Sequence, residues 1–225
     1  MMLRRITLQS LVGFLLLAAA LFPAAGTWRW PQAWAFLALF GAGSAVLTVW
    51  MWRCDQALLE ARMQSPLRRD QRPRDRAIIA AMMICFAAWF VGMGLGRRLG
   101  GAEAPLWAQA TGAALIVLAF ACWLLVLRVN SFAASSVRVQ AERHQEVVSS
   151  GPYAVVRHPM YAASLLFLAG TPLLLGVPAG LWGLVAMLPL LVARTLGEEA
   201  VLKAGLPGYA AYTERVRYRL LPGVW

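Results

Sequence analysis

Four runs of almost uninterrupted apolar residues, 8–25, 34–52, 77–96 and 108–127, organise the first half of the chain. Each is close to the ~20 residues that a helix needs to cross a hydrocarbon core, so each predicts a membrane-spanning helix. Arg4 and Arg5 precede the first run, in the manner of a secretory signal. A second run follows after a short gap, which favours a retained hairpin over a cleaved leader. Two later stretches, 160–176 and 181–193, are shorter and are interrupted by Pro172 and Pro189. They predict a short helical hairpin, tilted across the bilayer or re-entrant, that returns the chain to the side it left. Residues 53–76 begin amphipathic and end rich in arginine. This predicts a surface helix followed by an anchor on anionic lipid. The pattern as a whole gives an all-α, polytopic membrane bundle of about six hydrophobic segments.

Composition supports the same class. Hydrophobic residues fill 60% of the 225 positions and charged residues 14%, against roughly 45–50% and 25% in soluble domains. No single globular core hides that excess, and disordered, collagen-like and disulfide-scaffold classes fail on the same comparison. The net charge of +11 comes from 20 arginines and one lysine against ten acids. These bases lie between apolar runs rather than in a basic domain of their own, which points to membrane lipids and not to nucleic acid as the partner. With the N-terminus in the cytoplasm, eighteen basic residues fall on that side and only Arg29, Arg97 and Arg98 on the other. The positive-inside rule then places both termini in the cytoplasm. Trp28, Trp30, Trp34, Trp50, Trp52 and Trp107 stand near span ends, as an interfacial belt requires. The preference for arginine over lysine, with abundant alanine, points to a GC-rich bacterial genome and hence to the cytoplasmic (inner) membrane. Cys54, Cys85 and Cys122 are scattered without metal-ligand spacing and read as packing residues, so no metal is expected.

The chain divides in two. Residues 1–127 form a four-span region with the arginine-rich loop 53–76, while 128–225 carry most of the polar punctuation. The densest group runs from Gln145 to Tyr161 and includes Gly151-Pro152-Tyr153 and Arg157-His158-Pro159-Met160-Tyr161. Gly151-Pro152 marks a turn, and Pro159 suits the first turn of a helix, with His158 at its cap beside the membrane. Taken singly, each residue has a plain explanation: a loop turn, a topology charge, an interfacial tyrosine. A second group, Arg194-Thr195-Leu196-Gly197-Glu198-Glu199, follows the last apolar stretch. Arg194 and Glu198 are i,i+4 neighbours on one helix face, so a surface ion pair accounts for them. Equally, a cation at the membrane edge can orient an anionic head, and a carboxylate can bind hydroxyls or an amino group.

In order and spacing, Gly-Pro-Tyr-x-x-Val-Arg-His-Pro-Met-Tyr, an apolar hairpin, Arg-x-x-x-Glu-Glu and a Tyr-x-x-Tyr-x-x-Arg-Val tail resemble the isoprenylcysteine carboxyl methyltransferase family. That family is related to the phospholipid methyltransferases. The resemblance covers about residues 128–225 and leaves the first four spans without a diagnostic motif. It implies an integral-membrane, S-adenosylmethionine-dependent methyltransferase, with a cytoplasmic cofactor-binding region after the fourth span. Carried over by motif, the cofactor contacts are Gln145, Glu146, Val147, Val148, Gly151, Tyr153, Arg157, His158, Pro159, Met160, Tyr161, Glu198 and Glu199. Arg194 matches the substrate-contacting arginine, and Arg194 and Glu198 take the catalytic positions. Gln145 stands where eukaryotic members have histidine, and Gly197 departs from their acid-rich version of the downstream motif.

Methyl transfer from a sulfonium is an in-line displacement of an already activated leaving group, so catalysis consists chiefly of holding the reactants in line. A carboxylate acceptor needs no general base, whereas an amine or phenol must lose a proton. The resemblance implies a lipophilic acceptor arriving from the bilayer. Carboxyl O-methylation of an isoprenylcysteine is the first reading, and N-, O- or S-methylation of a phospholipid or another small lipid is the alternative. More distant rivals are a sterol-type membrane reductase and a non-catalytic membrane protein. The first lacks a nicotinamide motif, and the second lacks the intramembrane charges that transport usually demands.

Overall fold

Proline opens three of the long helices, its fixed φ and missing N–H suiting the first helical position. It does so at Pro31, Pro73 and Pro159. The computed structural model describes residues 2–65, 67, 71–134 and 138–225. In chain order it contains α1 (Met2–Ala25), α2 (Pro31–Cys54), α3 (Gln56–Met63), α4 (Pro73–Arg98), α5 (Leu106–Val129), α6 (Pro159–Leu174), α7 (Leu181–Gly205) and α8 (Tyr209–Arg215). No strand occurs among the described residues. The expected all-helical membrane bundle is what forms. Helices α1, α2, α4, α5 and α7 are long and apolar enough to cross a membrane. The surface helix expected in 53–76 is α3, capped by the Asp55 carboxylate, which accepts the Leu58 backbone N–H at 2.9 Å. Arg68 and Arg69 of the arginine-rich stretch lie outside the described residues.

The last hairpin differs from expectation in its second arm. Helix α6 has 16 residues, but α7 continues unbroken through Pro189 to Gly205 and has 25. The polar 194–199 stretch is therefore helical, because Arg194, Thr195 and Glu199 are buried against neighbouring segments instead of facing water. The α6–α7 turn lies at the same end of the bundle as the α1–α2 and α4–α5 connections. Trp30 donates its indole N–H to the Leu175 carbonyl (3.1 Å), Trp89 donates to Gly180 (2.7 Å), and the Ala104 N–H donates to Gly176 (3.1 Å). Trp30, expected in an interfacial belt, is instead fully buried as this anchor. Trp28, Trp34, Trp52 and Trp107 remain exposed.

Four phenylalanines from four helices meet at the centre. Phe36 lies 5.5 Å from Phe90 and 6.2 Å from Phe167, which in turn lies 6.4 Å from Phe120. Within a membrane, close backbone packing replaces much of the hydrophobic drive. Helices α5 and α6 use it at Gly112 and Gly170, where a Cβ on either residue would come within 2.6 Å of the other's carbonyl oxygen. At the other end of this antiparallel pair the Trp123 indole N–H donates to the Met160 carbonyl (3.1 Å), which sets the start of α6 beside the end of α5.

Candidate functional site

Between α5 and α6 the described residues run largely without regular structure and are pinned by their own side chains. The Gln140 backbone N–H donates to Gln145 Oε1 (2.7 Å), and Gln140 Nε2 donates to the Phe132 carbonyl (2.8 Å). Gly151 opens a short helical turn at φ +56°, and a Cβ there would meet Val129 at 3.3 Å. Glycine satisfies both the positive φ and the close approach. The Tyr153 hydroxyl accepts from Asn130 Nδ2 (2.6 Å), while the Tyr153 carbonyl accepts the Tyr212 hydroxyl (2.8 Å). The turn is thereby fastened to both α5 and α8.

Helix α7 brings its acids back to the start of α6. Tyr161 donates its hydroxyl to Glu198 Oε2 at 2.6 Å, and the side chain of Arg194 also reaches that phenol. Tyr161 stacks on His158, with ring centroids 5.6 Å apart and planes within 9°. The imidazole sits between the two acids, with Nδ1 3.9 Å from Glu198 Oε2 and Nε2 3.3 Å from Glu199 Oε1. Glu199, 3% exposed, is the hub of a second layer. Its Oε1 accepts Arg157 Nε (2.7 Å) and its Oε2 accepts Arg219 Nε (3.1 Å). Arg157 also donates to the Thr213 and Val216 carbonyls. The backbone N–H groups of Arg157 and His158 donate to Tyr218 and Arg219, each at 2.9 Å. The segment after α8 is thus fixed across the back of the site.

In front of this layer lies a cavity of about 330 Å³. Gln145, Glu146, Val147, Val148, Tyr153, Arg157, His158, Met160, Tyr161, Arg194 and Glu198 line it. Three residues expected to touch a cofactor do not reach its wall. Gly151 shapes the turn, Pro159 starts α6, and Glu199 holds the guanidinium groups and the imidazole behind the wall. Several wall residues come from places to which the sequence assigned no chemistry. Arg62 of α3, expected to act as a lipid anchor, donates to the Ala133 carbonyl (2.7 Å) and lies 3.7 Å from the Met160 sulfur. Ile79, Met82 and Met83 of α4 add an apolar side, and Asn130, Phe132 and Arg138 another. Leu202, Leu206, Tyr209 and Tyr212 close the cavity from the α7–α8 side. For the last two, the Tyr-x-x-Tyr spacing on one helix face was the available signal. Arg62 carried none, because nothing local separates it from its neighbouring arginines.

Burial sets the electrostatics outside the spans. It raises the phenols of Tyr153 and Tyr209, pushes Tyr212 up to about 12, and lowers Arg62. The tyrosines are therefore neutral hydrogen-bonding groups at physiological pH. The Tyr209 hydroxyl is buried at the cavity wall with no hydrogen-bond partner among the described residues. Buried polar groups are rarely left so, and this hydroxyl is free to hydrogen-bond with whatever fills the cavity. No group of metal-binding side chains occurs among the described residues.

Residues 107–205, from α5 to the end of α7, match the phospholipid methyltransferase family model. No curated protein matches the chain. The matched segment includes α5, which the motif resemblance left out, and stops short of α8 and the Arg219 segment.

Proposed function

We propose that this protein, whose residues 107–205 match the phospholipid methyltransferase family model, transfers the methyl group of S-adenosylmethionine to a lipophilic acceptor. The observation that carries the reading is the convergence of Tyr161, Glu198 and Arg194 on one cavity wall. Glu198 follows Tyr161 by thirty-seven positions, and their side-chain oxygens lie 2.6 Å apart. The residues present suit the cofactor. Glu146 and Glu198 offer carboxylates to its hydroxyl and amino groups, Tyr209 offers an uncommitted hydroxyl, and the stacked His158–Tyr161 pair offers an aromatic surface to a cation. When bound, S-adenosylmethionine supplies an activated methyl group on a positively charged sulfur.

The protein's contribution is placement. Tyr161 and Glu198 fix one another, and His158 is held between Glu198 and Glu199, so these groups reorganise little on binding. Arg194, beside Tyr161 at the deep end of the polar wall, orients the acceptor head. Ile79, Met82 and Met83 of α4 present an apolar flank to its tail. With Arg62, Arg138 and Arg194 on the wall, the arrangement favours an anionic head such as a carboxylate, whose methylation needs no base. Carboxyl methylation of an isoprenylcysteine-like lipid is the first acceptor reading, and methylation of a phospholipid, whose phosphate is also anionic, is the alternative.

Titration calorimetry with S-adenosylmethionine, together with a turnover assay, divides the roles. Arg194→Ala should raise the acceptor KM or lower kcat with cofactor affinity nearly intact, whereas His158→Ala should weaken the cofactor itself. The Arg194 effect should exceed about tenfold, since removing a charged partner from a buried site costs roughly 2–5 kcal/mol. The His158 effect should follow from losing the ring stacked on Tyr161 and held between the two acids. Equal loss of cofactor affinity in both variants would assign Arg194 to the cofactor and refute the division.

A further inference from the structure

After α8 the chain turns back on itself. Residues 216–218 run without regular structure past the start of α6, and Gly223, at φ +80°, reverses the direction. The backbone N–H groups of Val224 and Trp225 then both donate to the Leu221 carbonyl at 3.1 Å. In return, three successive N–H groups, those of Arg219, Leu220 and Leu221, converge on the Trp225 carbonyl oxygen at 2.8, 3.0 and 3.3 Å. Converging N–H groups of this kind fix an oxygen as a backbone nest does. The hook so formed seats the Trp225 indole against the Arg219 guanidinium, whose carbon lies 5.1 Å from the ring centroid. Arg219 Nε donates to Glu199 Oε2 at 3.1 Å, while Glu199 Oε1 faces Arg157 Nε and His158 Nε2. Neither Arg219 nor Trp225 lines the cavity, and both lie beyond the residues that match the family model.

We infer that Arg219 and Trp225 are positioning residues: acting through Glu199, they set the orientation of the His158 imidazole at the cavity and hence the affinity for the cofactor. A glutamate carboxylate rotates broadly about its last torsion when one oxygen alone is held. Arg157 and His158 share Oε1, so the contact from Arg219 to Oε2 fixes the plane of the group. That plane decides where His158 Nε2 is met, and with it how the imidazole lies on the Tyr161 ring, 9° from parallel. Charge balance alone does not call for the hook, because Arg157 already pairs with Glu199 at 2.7 Å, both side chains being buried. Arg219 is a long, flexible side chain, 26% exposed, and holding it costs rotamer entropy. The Trp225 ring, itself fixed by the nest, supplies the restraint. The link to the imidazole stands on this geometry, and the link to the cofactor rests on the methyl-transfer reading.

The test uses the full chain in detergent with isotope-labelled histidine rings. His144 and His158 are the two histidines, so the His158 resonance is assigned by its loss in His158→Ala. Trp225→Leu, which keeps apolar bulk without a ring, and Arg219→Gln should each move that resonance and weaken S-adenosylmethionine in titration calorimetry. The loss of affinity should be about threefold for Trp225→Leu, the size of one cation–π contact, and about tenfold for Arg219→Gln, the size of a charge-assisted hydrogen bond. Trp225→Phe, which keeps a ring for the cation, should restore both readouts. A merely structural contact would lower the melting temperature without moving the resonance, as expected of Trp89→Phe at the opposite end of the bundle. An unmoved His158 resonance in Trp225→Leu and Arg219→Gln would overturn the inference, as would a Trp225→Phe variant no different from Trp225→Leu. If Arg219→Gln failed to fold, the two Trp225 variants would still decide. A moved resonance with unchanged cofactor affinity would overturn the link to the cofactor. Failure of the unaltered chain to bind S-adenosylmethionine would instead refute the methyl-transfer reading, and the resonance would still decide the relay.

Discussion

Glu199, expected among the cofactor contacts, lies behind the cavity wall in the fold. Its acidic neighbour Glu198 faces the cavity, while Glu199 turns away by one helical step and gathers Arg157, His158 and Arg219. Breaking a buried pair from one side leaves an uncompensated charge. Glu199→Ala should therefore cost about 3–5 kcal/mol and lower the melting temperature by on the order of 10 °C, with Glu199→Gln milder. A melting curve in detergent, with protease sensitivity at 216–219 as the local readout, checks this; an unchanged midpoint would remove Glu199 from the framework. Tyr212 gives a pH signature. Burial raises its phenol to about 12 in the folded chain, against ~10 in an unfolded one. A folded value above the unfolded one gives stability that is whole below pH ~10 and is lost as pH climbs toward 12. Melting temperatures measured from pH 8 to 12 should fall over that window. Tyr212→Phe should make the fall shallower while lowering the plateau, since the bond to the Tyr153 carbonyl is gone.

Among the elements, α7 departs furthest from its hydrophobic pattern. Apolar residues stop near 193, yet the helix continues to Gly205 because its polar turns are buried against the 157–158 segment and the residues after α8. That extension carries Arg194 and Glu198 onto one wall. Helix α3 followed its amphipathic pattern, but its burial partners were invisible locally, so Arg62 was assigned to lipid. The α5–α6 contact is the element-scale weak point. A side chain at Gly170 would meet the Gly112 carbonyl at 2.6 Å and Leu115 at 2.9 Å, and backbone cannot give way as a flexible side chain does. Gly170→Val should therefore destabilise by about 3 kcal/mol or more through overpacking. Because α6 positions Tyr161, activity should fall with stability. Thermal melts of that variant, with Gly13→Val on the open side of α1 as control, provide the check.

For the molecule as a whole, the contacts place the two chain ends at one end of the bundle. Arg5 at the start of α1 donates to the Met63 carbonyl of α3, Arg62 of α3 reaches Ala133 ahead of α6, and Arg219 reaches Glu199 near the end of α7. The α6–α7 turn is tied to the opposite end, so α6 traverses the bundle despite its 16 residues. Its ~24 Å falls short of a ~30 Å hydrocarbon core. The irregular 155–158 segment precedes its first turn and brings Arg157 and His158 to the cavity, and such backbone is tolerated at depth where it lines a cavity. Which end faces the cytoplasm rests on the charge asymmetry, and we place the arginine-rich end there. Reporters fused after residue 225 and inserted within 97–106 should report opposite sides; the same side for both would refute that placement.

The sequence alone determined the spans, since run length against bilayer thickness is a local quantity, and it carried the family resemblance, since the Gly-Pro-Tyr and Arg-His-Pro-Met-Tyr motifs are contiguous. It also brought the 145–161 segment and Glu198 into one hypothesis through motif order. Tertiary structure decided which neighbour in each motif faces the cavity, separating Glu198 from Glu199 and Tyr153 from Gly151. It also recruited Arg62, Met82 and Tyr209 and turned Trp30 from an interfacial residue into a buried anchor. Those outcomes depend on helix rotation and on which elements pack together. An apolar run specifies that it leaves water, but in lipid almost any face satisfies that demand, so close packing and buried hydrogen bonds choose the face.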